Sequence, residues 1–315
     1  MKILEYSMIV AFAAGCASAQ TSVPKEPAWK ATVTVLDEAN HALADAKVEV
    51  SYYVIPPPGQ REASDKVAGV TDANGVFTIS HENTGSIGLG FLATKDRYYS
   101  ASASHQFADF NQQDPAKWNP SVTLLLKKIG KPIPMYAKAL MQPPPDKDKG
   151  VGYDLEVGDW IAPYGKGKST DIIFTSHFDK RANNDWDYSL TVTFPKQGDG
   201  IQPFSISDLE KTSSLRSPHD APENGYRPEW IKTQSQRPGQ GSVDGIDKSL
   251  SFFFRVRTVL NEKGDVVSAN YGKIYGDFMN LYYFLNPAPN SRNIEFDPTK
   301  NLLKKLGPSE GVSFP

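Results

Sequence analysis

A single cysteine, Cys16, stands in 315 residues. That excludes an intramolecular disulfide, a Cys-rich zinc site and a thiolate-ligated iron–sulfur cluster. An excess of charge of either sign is also missing. Thirty-four Lys and Arg against 36 Asp and Glu leave a net charge of -2. Such a balance lacks the basic footprint of a nucleic-acid binder, so no nucleic acid is expected as a partner. Beyond the first twenty residues there is no long apolar run, which excludes a polytopic membrane protein. The serine-hydrolase elbow Gly-x-Ser-x-Gly, the His-Glu-x-x-His zinc motif and EF-hand spacing are absent. Gly165-Lys166-Gly167-Lys168-Ser169-Thr170 has half of a phosphate loop, but Ala162 stands where its first glycine must be, so it reads as a polar hairpin. His219-Asp220 lies in a proline-rich stretch and forms no hydrolase pattern.

What is present is turn chemistry. Glycine and proline, 24 each, favour many turns over long helices. The length fits about two domains with cores that need no covalent staples.

The N-terminus reads as an export signal over residues 1–19. Lys2 supplies a positive start, Met8 to Ala14 a short apolar run, and Ala17-Ser18-Ala19 a small-x-small cleavage site. Two readings of Cys16 stand. Ala14-Gly15-Cys16 resembles the end of a bacterial lipobox, in which Cys16 is lipidated; alternatively it is discarded with the signal. Either way the chain is expected outside the cytoplasm: periplasmic, outer-membrane-associated or extracellular. Membrane contact is expected only through that anchor. Residues 20–30 read as a polar, proline-containing linker.

Residues 31–128 read as short strands separated by turns. Val48 and Val50 share one face, with Lys47, Glu49 and Ser51 on the other. Asp72-Ala73-Asn74-Gly75 marks a tight turn, where Asp72 bonds forward and Gly75 takes a left-handed conformation. The segments Leu43-Ala44-Asp45-Ala46-Lys47-Val48, Gly69-Val70-Thr71-Asp72-Ala73-Asn74-Gly75-Val76-Phe77 and Ala93-Thr94-Lys95-Asp96-Arg97-Tyr98-Tyr99 together resemble the carboxypeptidase regulatory-like, transthyretin-like β-sandwich domain. Asp45 and Arg97 stand where that family commonly has glycine. The resemblance covers about a third of the chain and implies a binding or spacer module without catalysis.

Residues 131–306 are expected to form a larger β-rich, sandwich-like domain with long loops, followed by a tail over 307–315. Strands are expected over 153–157, 171–178, 188–194, 249–260 and 270–285. Between 195 and 245 the chain reads as a long polar loop with a weakly helical stretch over 205–215. Alternation in the strand over 249–260 puts Arg255 and Arg257 on one face, a candidate basic surface.

Three groups of residues are candidate sites. His177, Asp179, Asp185 and Asp187 lie close in sequence and could hold calcium, the one metal the chain invites; no other cofactor is expected. Trp160, Trp186 and Trp230 sit beside polar residues and, with Arg255 and Arg257, are candidates for sugar binding. Glu156, Asp159 and Asp187 are candidates for the paired acids of a glycosidase. The fold class expected is all-β: an immunoglobulin/transthyretin-like sandwich followed by a larger one. The function expected is an exported, non-catalytic binding or scaffold protein of the bacterial envelope, with carbohydrate or an envelope protein as partner. A secreted hydrolase and a purely structural lipoprotein are the alternatives.

Overall fold

The computed structural model describes residues 29–54, 63–81, 88–107, 119–140, 143–245, 249–276, 278 and 280–315. The export signal, Cys16 and the linker up to residue 28 lie outside the described residues. The chain is all-β, with two sandwiches in succession.

The first sandwich packs a three-stranded sheet, β4-β1-β7, on a four-stranded sheet, β3-β2-β5-β6. Its strands are β1 (Trp29–Leu36), β2 (Lys47–Val54), β3 (Ala63–Val70), β4 (Val76–His81), β5 (Gly88–Thr94), β6 (Ala101–Gln106) and β7 (Ser121–Leu125). β1 and β7 are parallel; the other neighbours are antiparallel. β1 takes in Trp29 and Lys30, two residues that read as linker in the sequence, because Trp29 is fully buried in the core. Alternation does the rest: Ala31, Val33 and Val35 of β1 meet Val48, Val50 and Tyr52 of β2 and Leu89, Phe91 and Ala93 of β5. β6 carries no such signal in ASASHQ, and only the pairing with β5 makes it a strand.

The turns follow the local chemistry. Asp72 accepts the N–H groups of Asn74 and Val76, both at 2.9 Å, and Gly75 has φ +71°. A Cβ on Gly75 would fall 2.6 Å from the Val35 carbonyl oxygen, so this position needs glycine twice over. Asp45 (φ +54°) and Arg97 (φ +63°) also sit in the left-handed region. Left-handed backbone costs an L-residue roughly 1–2 kcal/mol. Glycine avoids that at an entropic cost of about 0.5–1 kcal/mol. Arg97→Gly is therefore expected to leave stability unchanged or raise it by about 0.5 kcal/mol, where most substitutions lower it; urea unfolding checks this.

The second sandwich packs a six-stranded sheet, β10-β9-β11-β12-β14-β15, on a five-stranded sheet, β13-β16-β17-β18-β8. The strands are β8 (Tyr136–Leu140), β9 (Val151–Asp154), β10 (Asp159–Trp160), β11 (Ile172–Ala182), β12 (Asp185–Thr193), β13 (Gly200–Ser205), β14 (Glu229–Arg237), β15 (Gly241–Asp244), β16 (Leu250–Leu260), β17 (Val266–Gly276) and β18 (Leu281–Leu285). The main core lies between the sheets and holds Tyr153, Phe174, Leu190, Phe254 and Tyr283. Two smaller clusters cover the outer face of the five-stranded sheet, one around Phe284 and Phe296, the other around Phe253 and Tyr271.

Two readings of the sequence are corrected here. The stretch from 195 to 245 is not one long loop: it contributes β13, β14 and β15, and helix is limited to a three-residue 3-10 turn, Glu210–Thr212. β14 (EWIKTQSQR) escapes a periodicity reading because Lys232 is buried on its inner face while Ile231 is exposed on its outer one, the reverse of the usual alternation. The apolar run over 270–285 is two strands. Gly276 at φ +101° and Phe278 at φ +63° turn the chain back between β17 and β18. No helix among the described residues is long and apolar enough to cross a membrane.

Candidate ligand-binding face and the buried charges behind it

β11 and β12 run well past the five-stranded sheet, and β14 and β15 go with them. The last turns of this sheet are therefore exposed on both faces. Strand parity assigns the faces. On the core-side parity lie Phe178, Lys180, Trp186, Gln234 and Gln236, beyond the point where the core ends. Phe178 is 39% exposed, and its ring centroid lies 5.7 Å from that of Trp186 with the planes tilted by 40°. Lys147 Nζ lies 6.0 Å from the Phe178 ring centroid. Two aromatic faces bordered by two amides and two amines form a flat, amphipathic patch.

The opposite face is charged and hydroxylic. A trough of about 350 Å³ is lined by His177, Asp187, Ser189, Thr233, Ser235 and Val243. Beside it Arg181 gathers the three neighbouring aspartates: Asp179 and Asp187 each at 2.8 Å, and Asp185 at 2.8 Å. Arg237 adds a second bond to Asp187 at 2.7 Å. The Arg181 bond holds Asp185 below the usual carboxylate range, and the bonds from Arg237 and Arg181 do the same for Asp187. His177 joins Asp148 instead, and that hydrogen bond raises its pKa. The expected calcium set is thus divided. The three aspartates do converge, but on guanidinium groups that already neutralise them, and His177 is turned to another loop. Among the described residues no group of acids and histidines is arranged to hold a metal ion.

Of the three tryptophans proposed for sugar binding, only Trp186 lies on this exposed patch. Trp160 is buried edge-on against Tyr153 and Phe174 in the core. Trp230 packs on Phe252 at the core margin. Each was flanked by polar residues in sequence; burial was decided by the partner sheet.

The expected basic surface of Arg255 and Arg257 does not exist. A β-bulge between Val256 and Val259 inserts one residue, and Arg257 takes φ +57°. That reverses its side. Arg255 stays on the outer face, 9% exposed, bonded to the carbonyls of Gly198 and Glu223 with its guanidinium 4.8 Å from the Tyr226 ring centroid. Arg257 turns to the six-stranded sheet. It binds Asp171 through Nε at 2.8 Å and Nη2 at 3.0 Å, Glu156 at 2.5 Å and Asp154 at 3.5 Å. Burial raises the Asp171 carboxyl. Burial acts the same way on Asp154, but N–H bonds from Lys168, Val157, Ser169 and Glu156 outweigh it and bring that carboxyl below its ordinary value.

This also answers the paired-acid reading. Glu156 is bound to Arg257, Asp159 accepts the N–H groups of Trp160 and Lys166, and Asp187 sits on the exposed sheet between two arginines. Each has a separate structural partner.

The junction between the sandwiches was not legible in the sequence. Glu295, 3% exposed, accepts Tyr99 Oη at 2.8 Å from the first sandwich, the N–H groups of Gly130 and Lys131 from the connection, and His219 Nδ1 at 2.6 Å. His219 Nε2 meets Glu38 of the first sandwich at 2.8 Å. Against the desolvation that would raise it, His219, Tyr99 and the backbone lower Glu295 to about 2. Glu295 foremost, then Glu38, raises His219. Nearby, Lys127 reaches from the end of β7 to the carbonyl of Ser217 at 3.1 Å, and Lys273 donates to Ser217 Oγ at 3.1 Å. Lys273 and Ser217 are both fully buried, so no substrate reaches this lysine–serine pair.

No family model matches the sequence, and no curated protein matches it. Several solved structures resemble it. The 3-chlorocatechol 1,2-dioxygenase of Rhodococcus opacus 1CP is 15% identical over 33% of this chain and 61% of its own, with a TM-score of 0.25. This chain thus spans about six-tenths of the dioxygenase's length. A shaft pilin SpaA from Lactobacillus rhamnosus GG is 8% identical over 79% of this chain and 94% of its own, with a TM-score of 0.24. The streptococcal ancillary pilin is 12% identical over 79% and 59%, with a TM-score of 0.20. Similarities this low say nothing about activity.

Proposed function

We propose that the protein is an exported, non-catalytic binding protein of the bacterial envelope that takes carbohydrate on the projecting end of its six-stranded sheet. The pair of exposed Phe178 and half-buried Trp186 carries this reading. Sugars present C–H faces that pack on aromatic rings and hydroxyls that bond to amides, and Gln234 and Gln236 lie on the same face as the rings. The first sandwich, read as a carboxypeptidase regulatory-like module, serves as a spacer between this face and the export-signal end of the chain. The left-handed backbone at Asp45 and Arg97, the positions where that family commonly has glycine, supports the reading. Acylated Cys16 or a free Gln20 at the mature N-terminus decides between an anchored and a released form, and mass spectrometry separates the two.

A glycan array of the full chain, followed by titration of the best ligand, tests the proposal. Trp186→Ala is expected to weaken that ligand about tenfold, the value of roughly 1.4 kcal/mol of lost packing. Its melting temperature is expected to stay within a few degrees, since the ring lies outside the core. An array without any binder, or a ligand indifferent to both Trp186→Ala and Phe178→Ala, overturns it.

A further inference from the structure

A second cleft, of about 360 Å³, opens at the other sheet. It lies where β13, β16 and β17 end and the segment carrying the 3-10 turn crosses them. Its lining has two parts. Leu250, half-buried, supplies the accessible apolar surface, with Ile206 and Tyr275 almost fully buried beneath it. Lys211, Arg216, Ser249, Ser251 and Asn280 supply polar atoms. Among the described residues, the charged residues of the lining are both cations, Lys211 and Arg216.

The nearby acids do not cancel this. Glu210 accepts the N–H and hydroxyl of Ser207 and stands 3.6 Å from Lys127 Nζ. Asp208 meets Lys211 at 2.8 Å, but its side chain is 99% exposed, where an ion pair contributes little. Arg216 has no ion-pair partner among the described residues. Its guanidinium lies 5.8 Å from the Phe314 ring centroid, a long cation–π contact. That contact leaves the guanidinium's fork of N–H donors available to a carboxylate.

We infer that this cleft binds a carboxylate-bearing ligand of monosaccharide size, a uronic acid being the class that fits. The carboxylate takes the Arg216 fork and the Lys211 ammonium, the sugar ring lies over Leu250, and ring hydroxyls meet Ser249 and Asn280. This site is independent of the Phe178–Trp186 face, and each stands or falls alone.

The experiment is calorimetric titration of the full chain with galacturonate, trigalacturonate, methyl galactoside and lactate. Galacturonate is expected to bind, methyl galactoside at least about tenfold more weakly, the cost of one lost charge-assisted contact. Binding of the monomer as well as the trimer identifies a terminal or free acid; binding of the trimer alone identifies a chain-internal uronate. Lactate measures the carboxylate without the ring and is expected to bind more weakly than galacturonate. Arg216→Gln is expected to lower galacturonate affinity about tenfold with Arg216→Lys in between. Arg216 is exposed, so these variants are expected to fold, and an unchanged melting curve verifies it. No acid binding, equal binding of the neutral sugar, or affinity unaffected by Arg216→Gln overturns the inference.

Discussion

Arg257→Met is expected to destabilise the protein by about 3–5 kcal/mol, measured by urea unfolding. The arginine is the one cation bonded to Asp154, Asp171 and Glu156 among the described residues, and the side chains of Asp154 and Asp171 are only 3% and 2% exposed. Removing it leaves Asp171 buried without its guanidinium, its desolvation no longer offset, while Asp154 keeps its backbone N–H bonds. The loss is expected to grow as pH rises from acid toward neutral. Asp171, already raised by burial and then without its guanidinium, takes up a proton more readily in the variant. The variant's deficit therefore shrinks as pH falls. Asp171→Asn placed on top of Arg257→Met is expected to recover part of the loss, because an amide costs less to bury than an unpaired carboxylate. A deficit under about 1 kcal/mol would show that the cluster is solvated and that the bulge in β16 has another cause.

Glu295→Ala is expected to cost about 3 kcal/mol and to loosen the two sandwiches from each other. Four donors lose their acceptor at once: Tyr99 Oη, two backbone N–H groups and His219 Nδ1. Limited proteolysis at the 128–133 connection reads the loosening directly. The pH dependence has two limbs. Glu295 is lowered from 4.5 to about 2, so its contribution is present above 4.5 and is lost as pH falls toward 2. His219 is raised above 6.5, so its contribution is fully present below 6.5 and is lost as pH rises through its folded value. A neutral imidazole carries one N–H and cannot donate to both Glu38 and Glu295. The junction is expected to be tightest between pH 4.5 and 6.5. Melting curves of the native protein and His219→Gln should therefore converge on the alkaline side. A gap that stays constant or widens there would show that the histidine is held neutral.

The proposed binding face differs from these in kind. Trp186, Gln234 and Gln236 lie on a half-exposed sheet end, where substitution should alter affinity more than stability. The two sets of variants thus separate what holds the sandwiches together from what they present.

Local chemistry was legible where it is decided by neighbours in the chain. The Asp72-Ala73-Asn74-Gly75 turn, the alternation of β1 and β2, and the Asn261–Asp265 hairpin connection are all set by φ, hydrogen bonding and side-chain parity within a few residues. So was the all-β class. By itself, then, the sequence determined the class, the turns and the inward faces of the first sandwich. Only the tertiary structure decided what the charges do. Alternation puts Arg257 with Arg255 because it assumes an unbroken strand, and one inserted residue reverses it into a cluster with Asp154 and Asp171, 103 and 86 positions away. Trp160 and Trp186 look alike in sequence, yet one lies between two sheets and the other beyond their edge. Glu295 and His219 gave no signal at all, since a carboxylate becomes a junction only when Tyr99, 196 residues earlier, is folded against it. Burial and ion pairing depend on which distant segments meet, and no local pattern of residue types records that.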